Sequence, residues 1–279
     1  MKLSQFQNRL APLYNPREAR NIYYLLLQEI LRCSFSALLV RGDEALSDEN
    51  EKTIESYASR LSLGEPLQHI LGYTYFCGYQ FSVSRDVLIP RPETEELVEW
   101  ICKDSPEADS LLDIGTGSGC IAVSLKKKLC NCDIFAMDIS EKALSMAKEN
   151  ALSNQVDITF LHEDILSLPA DSRSYSVIVS NPPYITQKEK SAMHVNVLEH
   201  EPHLALFVHD DDPLLFYRAI AQFAQQHLQD NGFLYFEINE NLGKETCELL
   251  QQYNFHSIVL HKDMNGKDRM IQCRKQKNK

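Results

Sequence analysis

The sequence has few basic residues relative to acidic ones, and this shortage bears on the partners that the protein can bind. Its 279 residues include 28 Lys and Arg against 39 Asp and Glu, which gives a formal net charge of −11 at pH 7. Proteins that hold duplex nucleic acid neutralise its phosphates with clustered basic side chains. The charge balance therefore disfavours direct binding to nucleic acid.

Long apolar runs are missing as well. No apolar stretch approaches the roughly 20 residues that a membrane-spanning helix requires. The N-terminal residues MKLSQFQNR also lack the apolar core of a signal peptide. We therefore expect a cytoplasmic protein that does not associate with membranes.

The sequence has no clear metal-binding pattern. Its eight cysteines are scattered, mostly within apolar segments, where a reduced cysteine behaves as a small apolar residue. Only Cys130 and Cys132 form a close pair, and a structural zinc site needs a second Cys or His pair at suitable spacing. No such pair stands out, so we expect no bound metal.

The length is typical of two modest domains, and the charge changes between them. Residues 1–72 carry 8 basic and 9 acidic side chains, residues 73–260 carry 13 and 28, and residues 261–279 carry 7 and 2. Asn15-Pro16 marks a helix start in the first segment, and apolar residues recur there at helical spacing. We predict a small all-α bundle over residues 1–72, which contains no chemical motif of its own.

Residues 73–90 differ from the segments on either side. Aromatic and β-branched residues around Gly78 are typical of a short β-hairpin. The two prolines of Ile89-Pro90-Arg91-Pro92 then give a stiff, extended segment before a helix begins. We therefore predict a hairpin linker over 73–90 and a second domain over 91–279.

From residue 110 onward, candidate strands alternate with candidate helices, which indicates a mostly parallel, doubly wound sheet. The predicted strands are 110–114, 132–138, 156–161, 175–180, 232–238, 255–260 and 268–273. The predicted helices are 119–128, 141–153, 213–229 and 243–253. The turn residues Asn265-Gly266 join the last two strands, so the final strand should be antiparallel.

A glycine loop follows the first of these strands. Gly115, Gly117 and Gly119 allow a tight turn and let a ligand lie against the backbone. Asp138 ends the next strand, where a carboxylate could accept hydrogen bonds from both ribose hydroxyls of an adenosine. It could instead cap the helix at 141–153, as Ser140 could. Together, the loop and the acid predict a nucleoside site.

The strand at 175–180 runs directly into Asn181-Pro182-Pro183-Tyr184. Two consecutive prolines fix the backbone and remove two N–H donors, so the Asn181 side chain and the Pro182 carbonyl become rigid acceptors. A simple strand-ending turn does not require this sequence. We therefore interpret it as catalytic.

The glycine loop, Asp138 and Asn181-Pro182-Pro183-Tyr184 resemble those of class I methyltransferases, which use S-adenosylmethionine. Over nearly its whole length the chain is similar to the HemK-type methyltransferases, which modify the glutamine in the Gly-Gly-Gln loop of peptide chain release factors. The further segments that carry this resemblance are Gly64-Glu65-Pro66, Ile89-Pro90-Arg91-Pro92-Glu93-Thr94-Glu95, Glu201-Pro202 with Ala205-Leu206, and Asn265-Gly266 with Arg269.

The resemblance implies a Rossmann-like, seven-stranded methyltransferase domain, and it assigns roles to particular positions. Cofactor binding falls to Asp113, Gly115, Thr116, Gly117, Ser118, Gly119, Asp138, Asp164, Ile165 and Asn181. Catalysis falls to Asn181, Pro182 and Tyr184. Substrate binding falls to Asn181, Pro182, Pro183, Tyr184, Arg91 and Glu201, although Arg91 could equally belong to a structural ion pair. The family often has an aromatic residue where Ile165 stands, at the expected adenine site. For residues 1–72, we hypothesise a domain that docks the release factor.

Two alternatives remain open at this point. An adenine-N6 methyltransferase of DNA or RNA would use Asn-Pro-Pro-Tyr in the same way, but it must extrude its base and grip a phosphate backbone. The net −15 over residues 73–260 favours a protein substrate instead. The second alternative is a non-catalytic module with a methyltransferase-like fold.

Overall fold

A computed structural model describes residues 1–41, 46–168 and 172–277. The chain divides into two compact units, residues 1–71 with 194–200 and residues 72–193 with 201–279. None of the helices in the described ranges is long and apolar enough to cross a membrane.

The described residues form helices and strands that we number in chain order. The helices are α1 (Leu3–Leu10), α2 (Pro16–Leu31), α3 (Phe35–Arg41), α4 (Asp48–Ser62), α5 (Leu67–Leu71), α6 (Pro92–Asp104), α7 (Cys120–Lys128), α8 (Glu141–Ser153), α9 (Val195–His200), α10 (His203–Leu206), α11 (Leu215–His227) and α12 (Gly243–Gln252). The strands are β1 (Tyr73–Phe76), β2 (Tyr79–Ser82), β3 (Ser110–Ile114), β4 (Asp133–Asp138), β5 (Thr159–His162), β6 (Tyr175–Ser180), β7 (Ile185–Thr186), β8 (Phe207–Val208), β9 (Leu228–Glu237), β10 (Phe255–Lys262) and β11 (Asp268–Lys275). Short 3-10 helices lie at Ile165–Ser167 and Gln187–Ala192.

The smaller unit is helical, as the spacing of its apolar residues predicts. The Asn15 side chain accepts a hydrogen bond from the Glu18 backbone N–H at 3.0 Å, and Pro16 is the first residue of α2. This geometry is the expected helix start. Fully buried side chains at its centre include Phe6, Leu10, Leu26, Ile54 and Leu61.

A segment from much later in the chain belongs to this same unit. Asn196, in α9, donates from Nδ2 to the Tyr14 hydroxyl at 2.9 Å. His200 at the end of α9 lies with its Nε2 3.4 Å from the Leu63 carbonyl. Residues 194–200 gave no sign of this association in the sequence, because their partners are more than a hundred residues away.

In the larger unit, β1 and β2 pair as an antiparallel hairpin, as predicted. Its buried residues Phe76 and Phe81 pack into the same core as Leu97 of α6 and Leu111 of β3. The hairpin therefore contributes to the core of this unit.

The main sheet has seven strands in the order β10-β11-β9-β6-β3-β4-β5. Strands β3 to β6 and β9 run parallel, whereas β11 is antiparallel to both of its neighbours. Successive residues Leu111 and Leu112 belong to different core clusters, so helices cover both faces of the sheet. The predicted doubly wound, seven-stranded fold with an antiparallel final strand is confirmed.

The third predicted strand is wrong at its start. It was expected over 156–161, but β5 begins at Thr159. The Val156 N–H bonds back to the Ala151 carbonyl at 3.0 Å, so this residue completes the end of α8. Two other departures are that β9 begins earlier, at Leu228, and that the short strands β7 and β8 were not predicted.

Asn150 of α8 connects three segments of the larger unit. Its Nδ2 donates to the carbonyls of Ser82 and Ser118 at 3.0 and 2.8 Å, and its Oδ1 accepts from the Ser82 N–H at 2.7 Å. The side chain is fully buried. Removing it leaves buried backbone groups unpaired, which costs more than the loss of an exposed hydrogen bond.

We therefore expect Asn150→Ala to lower the free energy of unfolding by about 2–4 kcal/mol, as measured by urea denaturation. Asn154→Ala on the same helix is the control, because the hydrogen bond from its Nδ2 to the Gln80 carbonyl lies at the surface. The control should lose less than about 1.5 kcal/mol. Equal losses in the two variants would contradict this role for Asn150.

Candidate active site

The candidate site lies where β3, β4 and β6 end. Strand β3 pairs with β4 on one side and with β6 on the other, so the order of strands reverses there. Such a switch point opens a crevice at the carboxyl ends of the strands. The crevice and the solvent space at its open mouth together occupy about 1020 Å³. The sequence-predicted residues that line it are Gly115, Gly117, Asp138, Asp164, Ile165, Asn181, Pro182 and Pro183.

The glycine loop after β3 presents bare backbone to this cleft. The N–H groups of Gly115 and Thr116 donate to the Met137 carbonyl at 2.8 and 3.0 Å, which holds the loop against β4. Gly117 has a φ of +55°, and a Cβ placed there would meet nothing within 4 Å. The open face of the loop therefore leaves space for a ligand to approach the backbone.

Gly119 has a different role from its neighbours. It precedes α7 as its N-cap residue, with a φ of +79°, and a Cβ at this position would lie 3.0 Å from the Ala147 Cβ. It does not line the cleft, and neither does Ser118, which is 2 % exposed. Gly119 thus allows α8 to pack closely against the loop, and Ser118 is held by the hydrogen bond from Asn150 to its carbonyl.

Asp113 lies beneath the loop and is fully buried. The Thr116 hydroxyl donates to its Oδ2 at 2.7 Å, whereas its Oδ1 has no hydrogen-bond partner among the described residues. Burial raises the pKa of Asp113 to about 7, although the hydrogen bond from Thr116 acts in the opposite direction. Neither residue lines the cleft, so both act on the loop from behind.

Asp138 at the end of β4 does line the cleft. Its Oδ2 accepts from the Gly117 N–H and its Oδ1 from the Ser140 N–H, both at 2.9 Å. The cap of α8 is Ser140, whose hydroxyl accepts from the Ala143 N–H. Burial raises the pKa of Asp138. Each oxygen keeps a second lone pair, so the carboxylate can still accept from a ligand.

Asp164 and Ile165 form the cleft wall beyond β5. Asp164 caps a 3-10 turn, with Oδ1 accepting from the Leu166 N–H at 2.9 Å. Ile165 is 8 % exposed and packs into the core beside the cleft. Asp164 thus presents a carboxylate that is already held in place, and Ile165 presents an aliphatic surface.

Asn181, Pro182 and Pro183 continue from β6 into the cleft, whereas Tyr184 points elsewhere. The Tyr184 hydroxyl donates to Glu237 Oε1 at 3.0 Å. Burial and the nearby Glu237 carboxylate raise the pKa of Tyr184. Of the four residues in this motif, the structure therefore brings three to the cleft and turns the fourth toward a buried acid.

Sequence reasoning missed Glu237 and gave no role to Thr94, although Thr94 lies in a segment that carries the family resemblance. Glu237 ends β9 and is 2 % exposed, and it accepts from the Thr94 hydroxyl at 2.6 Å. Asn181 in turn donates from Nδ2 to Thr94 Oγ1 at 3.4 Å. An acid at the end of a buried strand was the signal that singled out Asp138, and it could have singled out Glu237.

Arg91 and Glu201 form an ion pair, with Nη2 and Oε1 2.7 Å apart. Glu201 also accepts from the Ile89 N–H at 3.1 Å. Neither charged residue lines the cleft, but Pro202, directly after Glu201, does. The pair therefore joins the Pro-rich segment before α6 to one wall of the cleft.

Nothing in the described ranges resembles a metal centre. No group of three or more His, Cys, Asp and Glu residues there is placed to hold an ion. Cys130 and Cys132 are both free thiols.

Known proteins resemble the chain over both units. Residues 2–72 match the family model described as PrmC N-terminal domain, and residues 92–205 match the methyltransferase small domain. A crystal structure of a methyltransferase from Pyrococcus furiosus has a TM-score of 0.53 and 16% identity, and it covers 83% of this chain and 100% of that one. At this identity the likeness concerns the fold alone.

Two relatives match nearly end to end, and both are named release factor glutamine methyltransferase. The one from Flavobacterium psychrophilum is 48% identical over 273 residues, which is 96% of each chain. The one from Bacteroides thetaiotaomicron is 43% identical over 263 residues, which is 94% of this chain and 95% of that one. The chain therefore belongs to the release factor glutamine methyltransferase family.

Proposed function

We propose that this protein transfers a methyl group from S-adenosylmethionine to the side-chain amide nitrogen of the glutamine in the Gly-Gly-Gln loop of peptide chain release factors. The observation that carries the proposal is the shared cleft. Asn181 and Pro182 line the same crevice as the bare loop at Gly117 and the carboxylate of Asp138. The names of the full-length relatives support this choice of substrate.

The residues present fit S-adenosylmethionine. Gly115 and Gly117 leave open space above the loop, and Asp138 offers free lone pairs for ribose hydroxyls. Asp164 and Ile165 provide the wall next to Asp138. When bound, this cofactor supplies an electrophilic methyl group on a sulfonium centre.

Asn181 and Pro182 suit a primary amide because such a nitrogen is a poor nucleophile. Its lone pair is delocalised into the carbonyl group. If Asn181 Oδ1 and the Pro182 carbonyl each accept one amide N–H, the nitrogen is held with its lone pair toward the methyl group. The same acceptors stabilise the nitrogen as it becomes tetrahedral and positively charged. A strong base is not needed before attack, because the alkylated amide is acidic and loses its proton to water after the methyl transfer.

For the smaller unit, we propose that the helical surface around α3 docks the release factor. Phe35 and Leu39 lie four residues apart on one face of α3 and are 44% and 59% exposed. The ring of Phe35 lies 5.3 Å from that of Tyr24 in α2, and the residue that follows Tyr24 in the chain, Leu25, is 49% exposed. Exposed apolar side chains that lie close together are typical of protein-binding surfaces.

The choice between substrates is tested with labelled S-adenosylmethionine. We expect label in a purified release factor and none in DNA or RNA. Label in nucleic acid alone would overturn the proposal in favour of an adenine methyltransferase. Failure to bind the cofactor in calorimetry would indicate a non-catalytic module.

Asn181→Ala removes one of the two acceptors, and we expect turnover to fall by a factor on the order of 10²–10³, as when an oxyanion-hole donor is lost. The Kd for S-adenosylmethionine should change much less. Asn241→Ala is the matched control, because Asn241 does not line the cleft. Unchanged turnover in Asn181→Ala would refute the proposed role.

Asp138→Ala should weaken S-adenosylmethionine binding by about 1.5–3 kcal/mol, or roughly 10–100-fold in Kd, because hydrogen bonds to a charged acceptor are lost. Isothermal titration calorimetry measures this directly. Asp133→Ala, at the exposed start of the same strand, is the control and should bind normally. An unaltered Kd for Asp138→Ala would mean that Asp138 only holds the glycine loop, through its hydrogen bond from Gly117.

Leu39→Glu should raise the KM for an intact release factor by roughly tenfold, the value of one lost apolar contact. A short peptide that contains Gly-Gly-Gln should be methylated as before, because it lacks the rest of the release factor, which is the part that we propose α3 binds. Leu152→Glu on α8 is the control, since Leu152 is also exposed but belongs to the larger unit. Equal effects on factor and peptide would argue against a docking surface.

A further inference from the structure

Behind the cleft, four side chains form one continuous path of hydrogen bonds. Asn181 Nδ2 donates to Thr94 Oγ1 at 3.4 Å, and the Thr94 hydroxyl donates to Glu237 Oε2 at 2.6 Å. The Tyr184 hydroxyl donates to the other carboxylate oxygen at 3.0 Å. Both Thr94 and Glu237 are 2 % exposed. Because water is largely excluded here, the direction of each hydrogen bond is set by the protein.

The direction of this path follows from the chemistry of its members. A carboxylate accepts hydrogen bonds only, so the single hydroxyl hydrogen of Thr94 goes to Glu237. The Thr94 oxygen can then only accept, and the neighbouring Asn181 must present its NH₂ group to it. An asparagine amide has nitrogen on one side and oxygen on the other. Fixing the nitrogen toward Thr94 therefore turns Oδ1 the other way.

We propose that Glu237 and Thr94 are positioning residues that keep Asn181 Oδ1 facing the substrate. This inference rests on the proposed role of Asn181 as an acceptor for the glutamine amide. In the reversed orientation, the Asn181 NH₂ group would face the substrate N–H, and two donors would meet. Glu237 and Thr94 act through Asn181 and contact neither substrate nor cofactor.

The surroundings of Glu237 agree with an acceptor-only role. Burial raises its pKa, but the hydrogen bonds from Thr94 and Tyr184 and the positive charge of Arg269 all act in the opposite direction. Two donors thus converge on the carboxylate, one at each oxygen. A neutral amide at this position cannot accept from both in the same way, because only one of its two terminal atoms is an acceptor.

The first test changes the hydroxyl of Thr94. Thr94→Val keeps the shape of the side chain and removes both hydrogen bonds, so kcat should fall roughly tenfold, which corresponds to about 1.4 kcal/mol. The Kd for S-adenosylmethionine and the KM for the release factor should stay within about twofold, which is less than 0.5 kcal/mol. Thr94→Ser keeps the hydroxyl and should retain most of the wild-type kcat.

The matched control is Thr246→Val. Thr246 is also fully buried in the larger unit, and its hydroxyl donates to the Leu242 carbonyl at 2.7 Å. Its loss also removes a buried threonine hydroxyl from the larger unit, but one that is not connected to Asn181, so kcat should be unchanged. A fall in kcat for Thr94→Val and not for Thr246→Val separates positioning from a general loss of stability.

The second test changes the acid. In Glu237→Gln, the Tyr184 hydroxyl occupies the remaining acceptor, and the new NH₂ group donates to Thr94. The Thr94 hydroxyl then donates to Asn181, which favours the reversed amide. We expect kcat to fall at least as far as in Thr94→Val, about tenfold or more, although the change in shape is small.

The decisive measurement is the double-mutant cycle with Asn181→Ala. If Thr94 acts only through Asn181, Thr94→Val should have no further effect on the low kcat of Asn181→Ala. The same tenfold loss in both backgrounds would overturn the inference, as would wild-type kcat in Thr94→Val and Glu237→Gln. A wild-type protein that does not methylate a release factor at all would instead overturn the proposed function.

Discussion

The parallel pairing of β3 with β4 on one side and with β6 on the other is the constraint on which the candidate site depends. Because parallel strands end at the same edge of a sheet, this pairing brings the glycine loop, Asp138 and Asn181 to one crevice. The loop is then fixed to β4 by backbone hydrogen bonds to Met137 and by the hydrogen bond from Gly117 to Asp138. A ligand that meets the loop therefore also meets the carboxylate, and the motif after β6 faces the same space.

Two fully desolvated acids support this arrangement from behind. Asp113 is the last residue but one of β3 and Glu237 is the last residue of β9. Each accepts a hydrogen bond from a threonine hydroxyl, Thr116 or Thr94. Burying a carboxylate is unfavourable unless hydrogen bonds compensate for the lost solvent. Both buried carboxylates are therefore stabilised by their hydrogen-bond donors. The same hydrogen bonds fix the side-chain conformations of Thr116 and Thr94. The glycine loop and Asn181, which face the cleft, are thus supported by residues on the side away from the ligand.

The sequence was informative where the chemistry is local in the chain. Residues 113–119 form a strand end, a glycine loop and a helix start in seven consecutive positions, and 181–184 carry their rigidity in two prolines. The hydrogen bond from Thr94 to Glu237 and the ion pair of Arg91 with Glu201 span 143 and 110 residues. No spacing rule reaches that far, so Arg91 and Glu201 were predicted separately and Glu237 was missed. The late start of β5 has a different cause, because the Val156 N–H is used in the turn that ends α8 and so is not available for pairing in the sheet.

The membership of residues 194–200 in the smaller unit affects how such a protein can be rebuilt. The polypeptide passes between the two units three times, after residues 71, 193 and 200. Fusing a foreign helical segment to the front of the larger unit replaces residues 1–71 but leaves α9 from the original chain, with Asn196 matched to a Tyr14 that is gone. A chimera that exchanges the smaller unit between two relatives therefore needs two coordinated replacements, one terminal and one internal. By the same connectivity, a substitution among the first 71 residues that alters a contact with α9 has to be matched by a change about 180 residues later in the chain, as for Tyr14 and Asn196.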